Sequence, residues 1–316
     1  MAFTPSRLLI FGGTGNIGQY ITKAILRAKP AFESVTLFTS QKTVDTKVDL
    51  LKGWKAAGLQ VTVGDVGNPK DVAEAFRATK ADTVVSAVGR GAIDVQVDLI
   101  TLADQSGTVK WFFPSEYGTD IEHNAKSPNE KPHQKKLAVR KHIRDNIKNL
   151  KITYLVTGPY FDMWVNQLGE AEEIGGFNVD KKEAVLIEDG EGKIGFCTMK
   201  DVGTSLVAAL RHPEVSFGKA LKVQSFIVTP NQILAEYEKQ TGSKFQVKYT
   251  PLDKLRMYET ELWDKGAPAA TAATLRRIWA EGGTLYEKND NELIGFDKEA
   301  ESLETAVRRA LHGGKD

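Results

Sequence analysis

The sequence holds one cysteine, Cys197, in 316 residues. No internal disulfide can form, and a reducing compartment is the natural expectation. A surplus of one charge is also missing. Lys+Arg 42 against Asp+Glu 41 leaves +1, which gives no support to a nucleic-acid or membrane-surface role. Long apolar runs are absent. Near the start only Leu8–Phe11 is continuously apolar, too short for the core of a signal peptide. Nothing approaches the roughly 18 apolar residues of a membrane span. These absences predict a soluble cytoplasmic protein. Charged residues at 26% and apolar residues at 41% are ordinary for a globular chain and exclude disorder. At ~150 residues per domain the length suggests two domains.

What is present alternates. Short runs rich in Val, Ile, Phe and Thr (Leu8–Phe11, Val35–Thr39, Val61–Gly64, Thr83–Ala87, Lys110–Phe113, Ile152–Val156) are separated by helical segments, the last near 134–150. This pattern predicts an α/β fold with a doubly wound parallel sheet buried on both faces. After Thr157 the rhythm changes to glycine turns and five helices. The expected division is a dinucleotide-binding domain over 1–157 and a smaller α+β substrate lobe over 158–316, with elements that can return to the first domain.

Gly12-Gly13-Thr14-Gly15-Asn16-Ile17-Gly18 lies between the first strand and the first helix. It satisfies the glycine spacing of a Rossmann phosphate loop: the early glycines for the turn, Gly15 for close approach to a diphosphate, Gly18 for helix–strand packing. Thr14, Asn16 and Ile17 would add a hydroxyl and backbone N–H groups. A turn that merely packs is the alternative. No acid follows the second strand. Thr39-Ser40-Gln41-Lys42 stands there instead, which favours NADP(H) over NAD, with Ser40 and Lys42 for the 2′-phosphate and Lys47 as a competing cation. Asp65 could accept from the adenine amino group. Ala87, Val88 and Gly89 are small enough to lie along the cofactor at a strand's carboxyl end.

No tyrosine has a lysine four positions on, so the Tyr-x-x-x-Lys pair of ordinary short-chain dehydrogenases is excluded. On the helix near 134–150, Val139, Ile143, Ile147 and Leu150 fall in one stripe of about 80°. Projected upstream, that stripe passes through Lys136 and near Arg140. A cation there needs a cavity or a partner, and Lys136 beside a cofactor cleft is a candidate proton donor or shuttle. Pairing with Glu116 or Glu130 is the plainer alternative. Tyr160 and Phe161 are expected to floor the nicotinamide. Met163 and Trp164 would line an apolar substrate pocket, unless this cluster is core between lobes. Trp263, Trp279 and Met257 are further candidates to close it. His123, His133 and His142 fit no metal-ligand spacing and read as loop and surface residues. The nine Lys/Arg of residues 126–151 read as a solvated helix face, and Cys197 as a small core residue.

Three segments carry a resemblance: Phe11–Gly18, Phe112-Phe113-Pro114-Ser115-Glu116-Tyr117-Gly118, and Gly190-Glu191-Gly192-Lys193 followed by Lys200-Asp201-Val202-Gly203. Together they resemble the NmrA-like, isoflavone-reductase-like family of atypical short-chain dehydrogenases, over roughly residues 6–250. The family includes phenylcoumaran benzylic ether and pinoresinol–lariciresinol reductases. The resemblance implies an NADPH-dependent reductase of aromatic or phenolic compounds, with a lysine on this helix as general base. A homodimer is compatible with the sequence but not implied by it. Two departures stand out. Arg140 falls where the family's lysine is expected, leaving Lys136 one turn earlier, with Arg140 or Ser115/Glu116 orienting the substrate. The family's arginine near the 2′-phosphate is replaced by Thr39 or Ser40. Two other readings stay open: a non-catalytic NADP(H)-binding redox sensor, and an RNA-binding Rossmann protein.

Overall fold

The computed structural model describes residues 3–165 and 171–312, the side chains of 164 and 165 excepted. The first half is a parallel six-stranded sheet built from β1 (Arg7–Phe11), β2 (Ser34–Thr39), β3 (Leu59–Val63), β4 (Thr83–Ser86), β5 (Trp111–Phe113) and β6 (Lys151–Ile152). Their order across the sheet is β3-β2-β1-β4-β5-β6. The order reverses direction between β1 and β4, and a ligand crevice opens at the carboxyl ends there. Strand periodicity sorts the side chains to two faces. Leu8 and Ile10 join one buried cluster with Ile21 and Ile25. Leu9 and Phe11 join the other with Phe76, Leu99, Val139 and Ile143.

The helices follow from local chemistry. In α1 (Gly18–Arg27) the buried residues are Gly18, Ile21, Thr22 and Ile25, one face at helical spacing. A short α2 (Gln41–Thr46), absent from the sequence reading, starts because Ser40 caps it by accepting from the Thr43 N–H. Beyond it lie α3 (Val48–Ala56), α4 (Pro69–Thr79), capped by Asn68 with Pro69 at the first position, and α5 (Gln96–Gln105). α6 (Gln134–Asn146) ends four residues earlier than expected. Ile147 turns extended, and the Asp104 carboxylate accepts from the N–H groups of Asn149 and Leu150 at 2.7 and 3.1 Å.

The sixth strand expected over 152–156 splits in two. β6 pairs with β5, while β7 (Tyr154–Val156) pairs in parallel with β11 (Ala220–Lys222). The second half runs α7 (Phe161–Val165), β8 (Gly176–Asn178), β9 (Glu183–Ile187), β10 (Ile194–Phe196), α8 (Met199–Arg211), α9 (Pro213–Ser216), β11, β12 (Phe226–Val228), α10 (Pro230–Thr241), β13 (Gln246–Thr250), α11 (Leu252–Asp264), α12 (Ala270–Ala280) and α13 (Leu303–Leu311). Part of it is no separate lobe. Val202 and Leu206 of α8, Leu221 and Phe296 lie in the same cluster as Leu8 and Ile10. α8 lies so close to α1 that a Cβ on Gly203 would stand 2.5 Å from the Tyr20 carbonyl oxygen. The remainder has its own core of Phe161, Phe177, Leu186, Phe196, Tyr237 and Val307 around β13-β9-β8. No described helix is long and apolar enough to cross a membrane.

Candidate active site

The glycine turn sits against the end of β4. Gly12 has φ +72°, and a Cβ there would lie 2.5 Å from the Ala87 carbonyl oxygen. The Gly15 N–H donates to the Gly12 carbonyl at 2.9 Å. A Cβ on Gly18 would collide with that same carbonyl, so α1 starts this close to the strand because the position is glycine. No side chain caps α1, whose first turn holds no acid. The N–H groups of Gln19 and Tyr20 donate to the Gly15 and Ile17 carbonyls, and it is Thr14–Ile17, just ahead of the helix, that line an open cleft, where the helix dipole favours an anion.

That cleft has a volume of about 580 Å³ and runs from Thr39, Ser40 and Thr43, past Gly12–Ile17 and Ala87–Gly89, to Ser115, Lys136 and Tyr160. The Ser115 hydroxyl donates to the Val88 carbonyl at 2.8 Å, tying the ends of β4 and β5 together. Asp65 lies at the cleft's edge, with Oδ1 accepting from the Gly67 N–H at 2.9 Å.

A second cavity of about 420 Å³ continues from the first. Arg90, Tyr117, Lys136, Tyr160 and Met163 border both. Its far wall comes from α12, with Ala272, Leu275, Arg276 and Trp279, and its floor from Ile121 and Pro132. This mostly apolar surface has no Asp or Glu among the described lining residues. Burial pushes the Arg276 guanidinium down to about 9, and it stacks 5.3 Å from the Trp279 ring. Arg277 holds α12 in place, donating to Glu130 and to Glu259 at 2.6 Å each.

Lys136 stands where the cavities meet. It is half-buried and donates to the Glu116 backbone carbonyl. Burial pushes its ammonium down to about 8; the Glu116 carboxylate opposes this, and Arg90 and Arg140 add to it. Arg140, one turn on, does not border either cavity. It is 2% exposed. Its guanidinium donates to Glu116 at 3.1 and 3.2 Å and to Glu122 at 2.8 Å, and lies 4.4 Å from the Tyr154 ring. These carboxylates, the Glu116 charge above all, hold its pKa above the ordinary arginine value against the effect of burial. The catalytic assignment of Arg140 is therefore corrected: it secures the backbone that Lys136 touches.

Other expectations change as well. Lys42 is exposed on α2 and lies off the cleft wall, because helix formation from Ser40 turns it outward. Lys47 reaches the glycine turn instead, 3.3 Å from the Thr14 carbonyl. Phe161 is fully buried and packs edge-on against Phe196 and Phe226, so it is core and not a nicotinamide floor. Tyr160 does border the cleft, its hydroxyl donating to the Tyr117 carbonyl. Met163 receives the Asn16 amide at 3.2 Å on its sulfur. The Trp164 side chain lies outside the described residues. Gly18 serves packing and is not a wall of the cleft. Among the later residues Trp279 closes the second cavity, Met257 is 67% exposed, and the Trp263 indole donates to Thr274. The three clustered histidines are not simply surface residues. His133 is buried in the cavity wall, His142 meets Thr101 at 2.9 Å, and His123 packs on Tyr286. Cys197 is fully buried. Arg90 carries no sequence signal, and Tyr117 and His133, though visible in the sequence, join it at the cavity only through the fold.

Strand order, the glycine turn and the crevice define a doubly wound α/β protein of the dinucleotide-binding class. Within that class the chain belongs to the NmrA-like family, whose model matches residues 4–272. It is 28% identical over 259 residues to an isoflavone reductase of Pisum sativum, covering 78% of this chain and 79% of that one. It is 28% identical over 254 residues to a phenylcoumaran benzylic ether reductase of Pinus taeda, covering 79% and 80%. Among solved structures, an isoflavone reductase superimposes with a TM-score of 0.82 at 24% identity, covering 97% of this chain and 99% of that one. The leucoanthocyanidin reductase–NADPH complex from Vitis vinifera gives 0.81 at 19%, covering 97% and 100%.

Proposed function

We propose that the protein is an NADPH-dependent reductase of a hydrophobic aromatic or phenolic small molecule, with Lys136 as its proton donor. The observation that carries this is the meeting of a dinucleotide-sized cleft and an apolar cavity at one half-buried lysine. The residues present suit the cofactor: a turn too tight for side chains at Gly12 and Gly18, Thr14–Ile17 lining the cleft at the start of α1, and the hydroxyls of Ser40 and Thr43 with Lys47 nearby for a 2′-phosphate. When bound, NADPH supplies a hydride. The chain's own residues do the rest. Tyr160 and Met163 separate the two cavities and position the rings, and Ile121, Leu275 and Trp279 exclude water from the substrate. Lys136, held by the Glu116 carbonyl, delivers a proton to the atom that gains negative charge.

The relatives' names bear on this reading, since they are reductases of related aromatic compounds. The test follows loss of NADPH absorbance across a panel of aromatic ketones, imines and quinone methides. Turnover of at least one class is expected, and Lys136→Ala should lower it by about 10²-fold or more while NADPH affinity stays within about threefold. NADPH binding without any turnover would support a redox-sensing role instead.

A further inference from the structure

His133 ends a single 3₁₀ turn (Lys131–His133) that leads directly into α6. It and Lys136 are three residues apart, so both project from one face, and both line the second cavity. His133 is 3% exposed. Its Nδ1 lies 2.8 Å from the Ser127 backbone carbonyl. A carbonyl can only accept, so Nδ1 carries the hydrogen and the neutral ring keeps its lone pair on Nε2. Burial, together with the Lys136 and Arg90 charges, holds the imidazole below its ordinary pKa, against Glu130 and the Ser127 bond. Nε2 is buried with no hydrogen-bond partner, and so is the hydroxyl of Tyr117, a residue that lines the same cavity. A buried acceptor without a donor is costly, and a ligand that brings one gains from it.

We propose that His133 is a specificity-determining residue, whose Nε2 accepts a hydrogen bond from a hydroxyl on the substrate's aromatic ring, beside the Lys136 ammonium. The cavity then prefers phenols to the corresponding methyl ethers, which cannot donate. This rests on the reading above that the cavity receives an aromatic substrate.

The probes are 4-propylphenol and 4-propylanisole, titrated by calorimetry into the whole protein with and without saturating NADP⁺. The phenol should bind about tenfold or more tightly than the ether. His133→Asn retains a donor at the Nδ1 position for Ser127 but lacks Nε2, and should bring the two affinities within about twofold. His133→Gln places an acceptor near the Nε2 position and should restore most of the preference. Equal affinities in the wild type, binding of neither probe, or a preference that survives in His133→Asn each overturn the proposal. A separate NADPH titration distinguishes the two failures: loss of dinucleotide binding removes the reductase reading, whereas NADPH binding without phenol preference removes only the role of His133.

Discussion

At the residue scale the site rests on a division of labour between two cations one helical turn apart. Lys136 faces the cavities with its ammonium pushed down to about 8, chiefly by burial. If it donates the proton, turnover should be flat below about pH 8 and fall about tenfold per unit above it. A rate that rises through that range would make it a base. The same shift has a stability consequence. Between about pH 8 and the ordinary lysine value near 10.5 the folded form has released a proton that the unfolded form keeps, so this group's contribution to stability rises with pH across that window. Arg140 faces Glu116, Asp120 and Glu122. Arg140→Ala would leave buried Glu116 without its counter-ion, and a loss of about 3–5 kcal/mol is expected from urea denaturation. Helical spacing alone put both cations near one stripe. It could not say which met a cavity and which met carboxylates, because those carboxylates come from the loop after β5.

At the scale of elements, the phosphate turn was legible because its requirements are local. A strand, three spaced glycines and a helix start suffice, and the structure adds only the carbonyls that a Cβ would strike. The segment after β2 was harder to read. Ser40 is both a candidate phosphate ligand and a helix cap, and the cap creates α2, which moves Lys42 away and leaves Lys47 at the turn. Lys47→Ala should therefore weaken NADPH binding several-fold with little effect on NADH, and Lys42→Ala should leave both unchanged, as measured by fluorescence titration. Equal losses in the two variants would return Lys42 to the site. The aromatic cluster at 160–164 misled for a related reason. Tyr160 and Phe161 are adjacent in sequence, yet Tyr160 borders the cleft and Phe161 enters the core of the second half.

At the scale of the whole molecule, both halves of the chain build one cleft. α8 packs on α1 beneath the glycine turn, and α12 roofs the second cavity, latched by Arg277 to Glu130. Binding that spans these parts should stabilise the folded protein as a unit. At 100 times its dissociation constant NADPH should add about 2.7 kcal/mol, and NADH at equal concentration should raise the melting temperature less. An equal shift with both dinucleotides would contradict a preference for the phosphorylated one. The alternation of apolar strands and helices, and the glycine turn, could be read along the chain because main-chain geometry and burial on both sheet faces impose short-range periodicities. Which side chains share a cavity could not. Arg90, Tyr117, His133, Lys136 and Trp279 come from separate segments, and their company depends on helix packing and loop paths that no local period encodes.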